Sequence, residues 1–193
     1  MQLETILEKF PTNVILKKGL AIQLRPLESA DEKSFHEFFL AVPERERMFI
    51  KHRVTDSAVI HDWCQHIDLG RNLPLLALAD QRIIGAATLH QQLGGWRRHI
   101  GRVSVLVHPD FRHCGLGRAL VTEIIEVARH TGLERLEAEF LADQAVGLKL
   151  FGMLGFSQLV CLPHYVKDMQ AMAHDYVLMA LDLETDEEYA GVG

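Results

Sequence analysis

The hydrophobic period changes several times along the chain, and each change marks an element. Residues 20–26, LAIQLRP, alternate, which places Leu20, Ile22 and Leu24 on one face of a predicted strand. Ser29 and Glu32 read as a capping box, the pattern in which two side chains satisfy free amides at a helix start. Phe35, Phe38, Phe39 and Val42 follow at helical spacing, and Pro43 ends that helix. A second helix is predicted over 56–69, capped by Asp56, with Val59, Ile60, Trp63 and Ile67 as its stripe. LPLLALA (73–79) and RIIGAATLH (82–90) flank Asp80-Gln81 and predict a hairpin. After a Gly94-Gly95 turn, IGRVSVLVH (100–108) is a third strand. Val103, Val105 and Val107 share one of its faces; Arg102, Ser104, Leu106 and His108 share the other.

Residues 115–131 carry the clearest helical pattern. Leu116, Leu120, Ile124, Val127 and Ala128 lie opposite Arg118, Thr122, Glu126 and Arg129, and Gly132 closes the helix. LERLEAEFL (133–141) is a strand, and QAVGLKLFGML (144–154) a helix ended by Gly155. FSQLVCL (156–162) and DYVLMALDL (175–183) are the last strands. This order of elements predicts one mixed α/β (α+β) sheet with helices on its faces, not a repeating βαβ array. Residues 1–19 read as an N-terminal extension with a short helix before Pro11. Residues 20–184 form the domain, and 185–193 an acidic, loose tail.

Composition narrows the class. With 193 residues, 48% hydrophobic and 24% charged, the chain is long enough for one well-buried core and too apolar for disorder. No run of 18 uncharged apolar residues exists, and MQLETILEKF lacks the basic-then-apolar order of a secretory signal. A net charge of −6 and a pI near 6.0 argue against a general nucleic-acid binder. Three separate cysteines, Cys64, Cys114 and Cys161, suit a reducing cytoplasm better than a disulfide or zinc framework. Eleven histidines raise the question of a metal. The densest group is His61, Cys64 and His66, in which His61 and Cys64 share a helical face and His66 points elsewhere, so no metal site is expected.

The chemistry concentrates in VSVLVHPDFRHCGLGRAL, 103–120, where a strand runs through a turn into an amphipathic helix. Glycines at 115 and 117 let backbone approach a ligand closely. Free amides at a helix start favour an anion such as a pyrophosphate, and Arg112 and Arg118 add charge. A P-loop would need Lys and then Ser or Thr, where Arg118-Ala119 stand. A dinucleotide fingerprint would need a third glycine where Leu120 stands, with no Pro109–Cys114 insertion after the strand.

This arrangement, R-x-x-G-x-G after a strand ending V-x-P, resembles the acetyl-CoA signature of the GNAT family of N-acetyltransferases. The resemblance covers residues 20–183. LADQAVGLKLFGMLGF (141–156) is similar to the family's second landmark, a helix ending in L-G-F. RPLESAD, FHEFF, ERMFI and AEFLADQ resemble the acetyltransferase domain of bacterial protein-lysine acetyltransferases. The resemblance implies a mostly antiparallel sheet whose central parallel pair, 100–108 and 133–141, splays apart. Acetyl-CoA as cosubstrate would enter that gap. Its pantetheine would pair with backbone around Val105, Leu106 and Val107. The amides of His113, Cys114, Gly115, Leu116, Gly117 and Arg118 would hold its pyrophosphate, beside Arg112. The acetyl carbonyl would lie near a bulge of the 100–108 strand, polarised by a backbone N–H.

An amine would then attack the thioester directly, helped by a base. Here the chain departs from the family. Phe151 stands where a tyrosine often protonates the leaving thiolate, Gln144 where an asparagine is common, and Arg102 where an acid is common. Glu139 and Glu137, on one face of the 133–141 strand, are the remaining base candidates. Ion pairs with Arg102 and Arg135 are their competing reading. Tyr165, in the loop before the last strand, is the candidate acid. His108, Asp110, His164 and Asp168 are further polar candidates. Cys114 reads as a small loop residue, not a nucleophile, and Trp96 to His99 as an exposed hairpin tip. The acceptor is a protein lysine or a small amine. A non-catalytic acyl-CoA-binding module and transfer of a longer acyl group stay open, as does the oligomeric state, a homodimer included.

Overall fold

The computed structural model describes residues 2–47, 50 and 52–183. The tail expected at 185–193 lies outside them. The elements run α1 (Gln2–Leu7), β1 (Thr12–Ile15), β2 (Ala21–Pro26), α2 (Glu32–Ala41), α3 (Glu44–Arg47), α4 (Ser57–Gln65), β3 (Asn72–Ala79), β4 (Arg82–His90) and β5 (Ile100–Val107). α5 (Leu116–Arg129), β6 (Arg135–Leu141), α6 (Ala145–Met153), β7 (Ser157–Lys167) and β8 (Ala173–Asp182) complete the fold.

All eight strands join one sheet in the order β1-β2-β3-β4-β5-β6-β8-β7. Among the described residues only β5 and β6 pair in parallel. Residues 1–19 contribute directly to this body: β1 pairs with β2 as the edge strand, and Leu3, Ile6 and Leu7 pack on the core. The β3–β4 turn places Asp80 at φ 48° and Gln81 at φ 66°, the two left-handed residues that a tight hairpin turn requires.

Helices cover both faces unequally. On one face α5 buries Leu116, Leu120, Val121, Ile124 and Val127 against β2 to β6 and β8. Each such side chain contributes about 1.5–3 kcal/mol. On the other face α2 and α4 bury Phe35, Phe38, Phe39, Ile60 and Cys64 over Leu76, Leu78 and Ile83. That second layer covers β3 and β4, with Leu106 of β5 at its edge, and the same face of β5 and β6 carries Arg102, Ser104, Glu137 and Glu139. The expected Ser29–Glu32 box is displaced by one residue. Glu28 caps the turn, and Asp31 accepts its amide at 2.9 Å while binding Arg25 at 2.6 and 2.7 Å. The paired Arg25 makes Asp31 the better partner in this corner.

Candidate active site

The central strand pair opens early. β5 and β6 are in register only at Ile100–Arg135, Gly101–Leu136 and Arg102–Glu137. Beyond that level both strands continue unpaired to each other, β5 to Val107 and β6 to Leu141. The edge of β5 around Val105, Leu106 and Val107 is therefore available to an extended ligand on that side. β4 pairs with β5 without a register shift from His90–Arg102 to Gly85–Val107. The bulge expected in β5 is not in that ladder; the register shift lies between β3 and β4, at Ala77–Leu78. Divergence from β6, rather than an extra residue, opens the strand.

The turn after β5 is shaped by two left-handed residues, His113 at φ 61° and Gly115 at φ 93°. Such a turn aims successive backbone N–H groups into one concavity. α5 then begins at Leu116 with no side-chain cap. The amides of Leu116, Gly117 and Arg118 precede the first helical hydrogen bond, from Ala119 N–H to Gly115 O at 3.0 Å, and face outward from the helix end. A Cβ at Gly117 would lie 3.2 Å from Leu150 and 3.6 Å from Val107, so the glycine permits close packing of α5 beside β5 and α6. Leu116 itself is buried; its contribution to the turn is its amide.

The side chains of this turn are largely occupied. Arg112 donates to both oxygens of Glu46, at 3.0 and 2.9 Å, and lies 3.4 Å from Val107 O. Cys114 Sγ donates to Phe111 O at 3.0 Å. Arg118 makes no ion pair among the described residues, and with Lys17 it borders an open groove that reaches Cys114 and Gly115. Lys17 carries no signal in the sequence; only the pairing of β1 with β2, and its amide bond to Cys114 O at 3.2 Å, bring it beside this turn.

Register brings a polar row across four strands on the face that α2 and α4 leave open. Asn72 opposes His90, His90 opposes Arg102, and Arg102 opposes Glu137. One same-face step towards the opening stand Ser104 on β5 and Glu139 on β6. Glu139 accepts the Tyr176 hydroxyl at 2.9 Å and pairs with Arg102 at 3.0 Å. Burial, and then the Glu139 hydrogen bond, push Tyr176 above its ordinary value. Glu137 is buried and pairs with Arg97 at 2.6 Å, whereas Arg135 pairs with Asp182 at 2.7 Å. The expected ion pairing of the two carboxylates is thus present, with Arg97 in place of Arg135. His90 Nδ1 lies 2.7 Å from Asn72 Oδ1, and its Nε2 lies 3.3 Å from Ser104 Oγ. Burial first, and then Arg102, lower its pKa, with Glu139 opposing.

The other candidates disperse. Tyr165 lies inside β7 rather than in a loop; it is 65% exposed, and its ring centroid is 5.5 Å from that of Tyr176. Phe151 is 1% exposed, with its ring 4.9 Å from both Phe140 and Phe156, so it is a core residue. Gln144 turns its Oε1 to the amide of Leu141 at 2.9 Å and holds the β6–α6 junction. His108 is buried and accepts Arg82 Nη2 at 2.7 Å. Asp168 pairs with His174 at 2.9 Å in the β7–β8 turn, and His164 donates its amide to Asp175 at 2.8 Å. His61 is exposed beside Glu32, while Cys64, one turn on, is buried; burial pushes the Cys64 thiol up to about 11. Among the described residues no group of three His, Cys, Asp or Glu is placed to hold a metal ion. No described helix is long and apolar enough to cross a membrane. Trp96 is 88% exposed at its hairpin tip, but the neighbouring Arg97 turns inward to Glu137.

Comparison with known proteins matches residues 31–156 to the model of the acetyltransferase (GNAT) family. The L-amino acid N-acyltransferase MnaT of Escherichia coli is 32% identical over 114 residues, 56% of this chain and 66% of that protein. The ribosomal protein bS18-alanine N-acetyltransferase of Escherichia coli is 30% identical over 80 residues, 42% of this chain and 53% of that protein. These matches thus span between half and two thirds of the relatives' lengths. The structure of yncA from Salmonella typhimurium, with its cofactor acetyl-CoA, shares the fold at a TM-score of 0.73. It is 20% identical, covering 89% of this chain and 99% of that one.

Proposed function

The chain belongs to the acetyltransferase (GNAT) family, and on that premise we propose that it transfers the acetyl group of acetyl-CoA to a primary amine by direct attack. The observation that carries this reading is the opening of β5 from β6 beside an uncapped helix start at Gly115. The turn suits a diphosphate: amides from His113 to Arg118 supply donors, Lys17 and Arg118 supply charge, and Gly117 keeps the wall low. The free edge of β5, at Val105 to Val107, suits an amide-bearing arm that adds to the sheet like a strand. A backbone N–H there would polarise the thioester carbonyl. Acetyl-CoA is also the cofactor of the yncA structure.

The names of the relatives support an acceptor class. One is named for L-amino acids and the other for an alanine of a ribosomal protein. Both names fit an α-amine, of a free amino acid or of a protein N-terminus, and we favour it over lysine. An α-amine also deprotonates more readily, since its pKa is about 7.7–8.0 against about 10.4 for lysine. A second reading, acyl-CoA binding without catalysis, has its support in Phe151 and Arg102, which stand where the family commonly has a hydroxyl and an acid.

The test is calorimetric titration with acetyl-CoA, followed by thiol release with L-amino acids, an alanine-initiated peptide and a lysine-containing protein. Binding with release dependent on an α-amine is the expected result. Release only with the lysine protein would move the acceptor to lysine. Binding with no release from any amine would favour the non-catalytic module, and no binding would overturn both.

A further inference from the structure

We propose that His90 receives the proton of the acceptor ammonium through the hydroxyl of Ser104, with Asn72 holding the imidazole in the accepting tautomer. This rests on the acetyltransferase reading above and names the base that reading leaves open. Asn72 Oδ1 can only accept, so at 2.7 Å it requires the proton on His90 Nδ1. The lone pair is then on Nε2, directed at Ser104 Oγ 3.3 Å away. Ser104 is exposed and stands two residues past the last paired level of β5 and β6, at the mouth of the opening.

The alternatives around that mouth are engaged. Glu139 uses one oxygen for Tyr176 and the other for Arg102. Glu137 is buried against Arg97, and His108 is buried against Arg82. The charged groups facing His90 are Arg102 on β5 and Glu139 on β6; Asn72 on β3 is neutral. Burial and Arg102 together keep the imidazole neutral at neutral pH, the form that accepts a proton.

The step balances simply. One ammonium proton passes to Ser104 Oγ as the Ser104 proton passes to His90 Nε2. The amine nitrogen bonds to the thioester carbon, the carbon–sulfur bond breaks, and the thiolate takes the second proton released from that nitrogen. The half-buried imidazolium returns its proton to water. The products are the amide, the free thiol and one proton.

The experiment measures thiol release against pH with a reactive α-amine, for wild type, His90→Gln, Ser104→Ala and Asn72→Asp. Acetyl-CoA affinity by calorimetry serves as the folding control. Expected for His90→Gln is a loss of about 10²-fold or more in kcat/KM for the amine with acetyl-CoA affinity unchanged. Its acid limb should move up to the amine's own pKa, about 7.7–8.0 for an α-amine, because only amine that is already neutral can then react. Ser104→Ala, at an exposed position, should lower kcat about tenfold without changing KM for acetyl-CoA, and carries the test if His90→Gln does not fold. Asn72→Asp should move the acid limb up by about one pH unit, because a carboxylate beside the ring favours its charged form. A His90→Gln or Ser104→Ala variant with wild-type kcat/KM and an unchanged acid limb would overturn the proposal while leaving the acetyltransferase reading intact. Absence of amine-dependent release by the wild type would instead overturn that reading, and this proposal with it.

Discussion

Two candidate sites adjoin at the far half of β5, and they are made of different material. The turn from His108 to Arg118 offers backbone: left-handed residues, free amides and a glycine wall, with Arg112 and Cys114 turned to internal partners. The open face offers side chains in two adjacent groups: Asn72, His90 and Ser104 joined by hydrogen bonds, and Arg102, Glu139 and Tyr176 joined by an ion pair and a hydrogen bond. A backbone site tolerates exchange of most side chains and fails when the main chain is obstructed. A side-chain network responds at each member, because its groups set one another's charge.

Gly115→Glu attacks the backbone site and carries the largest expected effect. A side chain at φ 93° is strained, and a carboxylate would sit in the turn proposed to hold the diphosphate. Acetyl-CoA affinity should fall about 100-fold or more by calorimetry, and unchanged affinity would end the assignment of the turn. Phe151→Tyr asks whether the open face lacks a hydroxyl from α6. The ring is enclosed by Phe140 and Phe156, so the new hydroxyl has no partner there. Stability to urea should fall by about 1–3 kcal/mol with no gain in kcat. A gain in kcat would return this position to the chemistry.

Smaller effects separate the members of the face. Arg102→Met and Glu139→Gln should each lower kcat less than tenfold and move the acid limb of kcat/KM in opposite directions. Arg102 lowers the His90 pKa, so its removal moves the limb to higher pH. Glu139 raises it, so its removal moves the limb to lower pH. Full activity of Glu139→Gln at every pH would remove Glu139 from the base candidates. The smallest effect belongs to Cys114→Ala. It removes one sulfur hydrogen bond from a site built of amides, and acetyl-CoA affinity should stay within about threefold.

The backbone site was legible because its determinants are local. A proline after a strand, spaced glycines and an amphipathic stripe favour a strand, turn and helix through local chemistry alone. The hairpin at Asp80-Gln81 was legible for the same reason. The Ser29–Glu32 box was misplaced by one residue because Arg25, across the corner, draws in Asp31. Residues 1–19 read as an extension because four residues, Thr12 to Ile15, carry too short an alternation to announce a strand, and pairing with β2 supplies what the pattern lacks.

The polar face was not legible, although every residue in it could be read. Glu139 and Arg102 were noticed as neighbours of opposite charge, but His90, Asn72 and Tyr176 carried no signal. They lie far apart in sequence, and only the pairing of β3 with β4, β4 with β5 and β6 with β8 sets them side by side. Tyr165 is the candidate acid by its place before the last strand, whereas the hydroxyl that meets Glu139 is that of Tyr176, because β8 rather than β7 is the neighbour of β6. By itself, then, the sequence determined the elements, the strand–turn–helix at 103–120 and the family, since periodicity and turn chemistry act over a few residues. The tertiary structure decided which carboxylates are committed to arginine and which imidazole keeps a lone pair at the opening. Those outcomes depend on strand order and register, which non-local pairing settles.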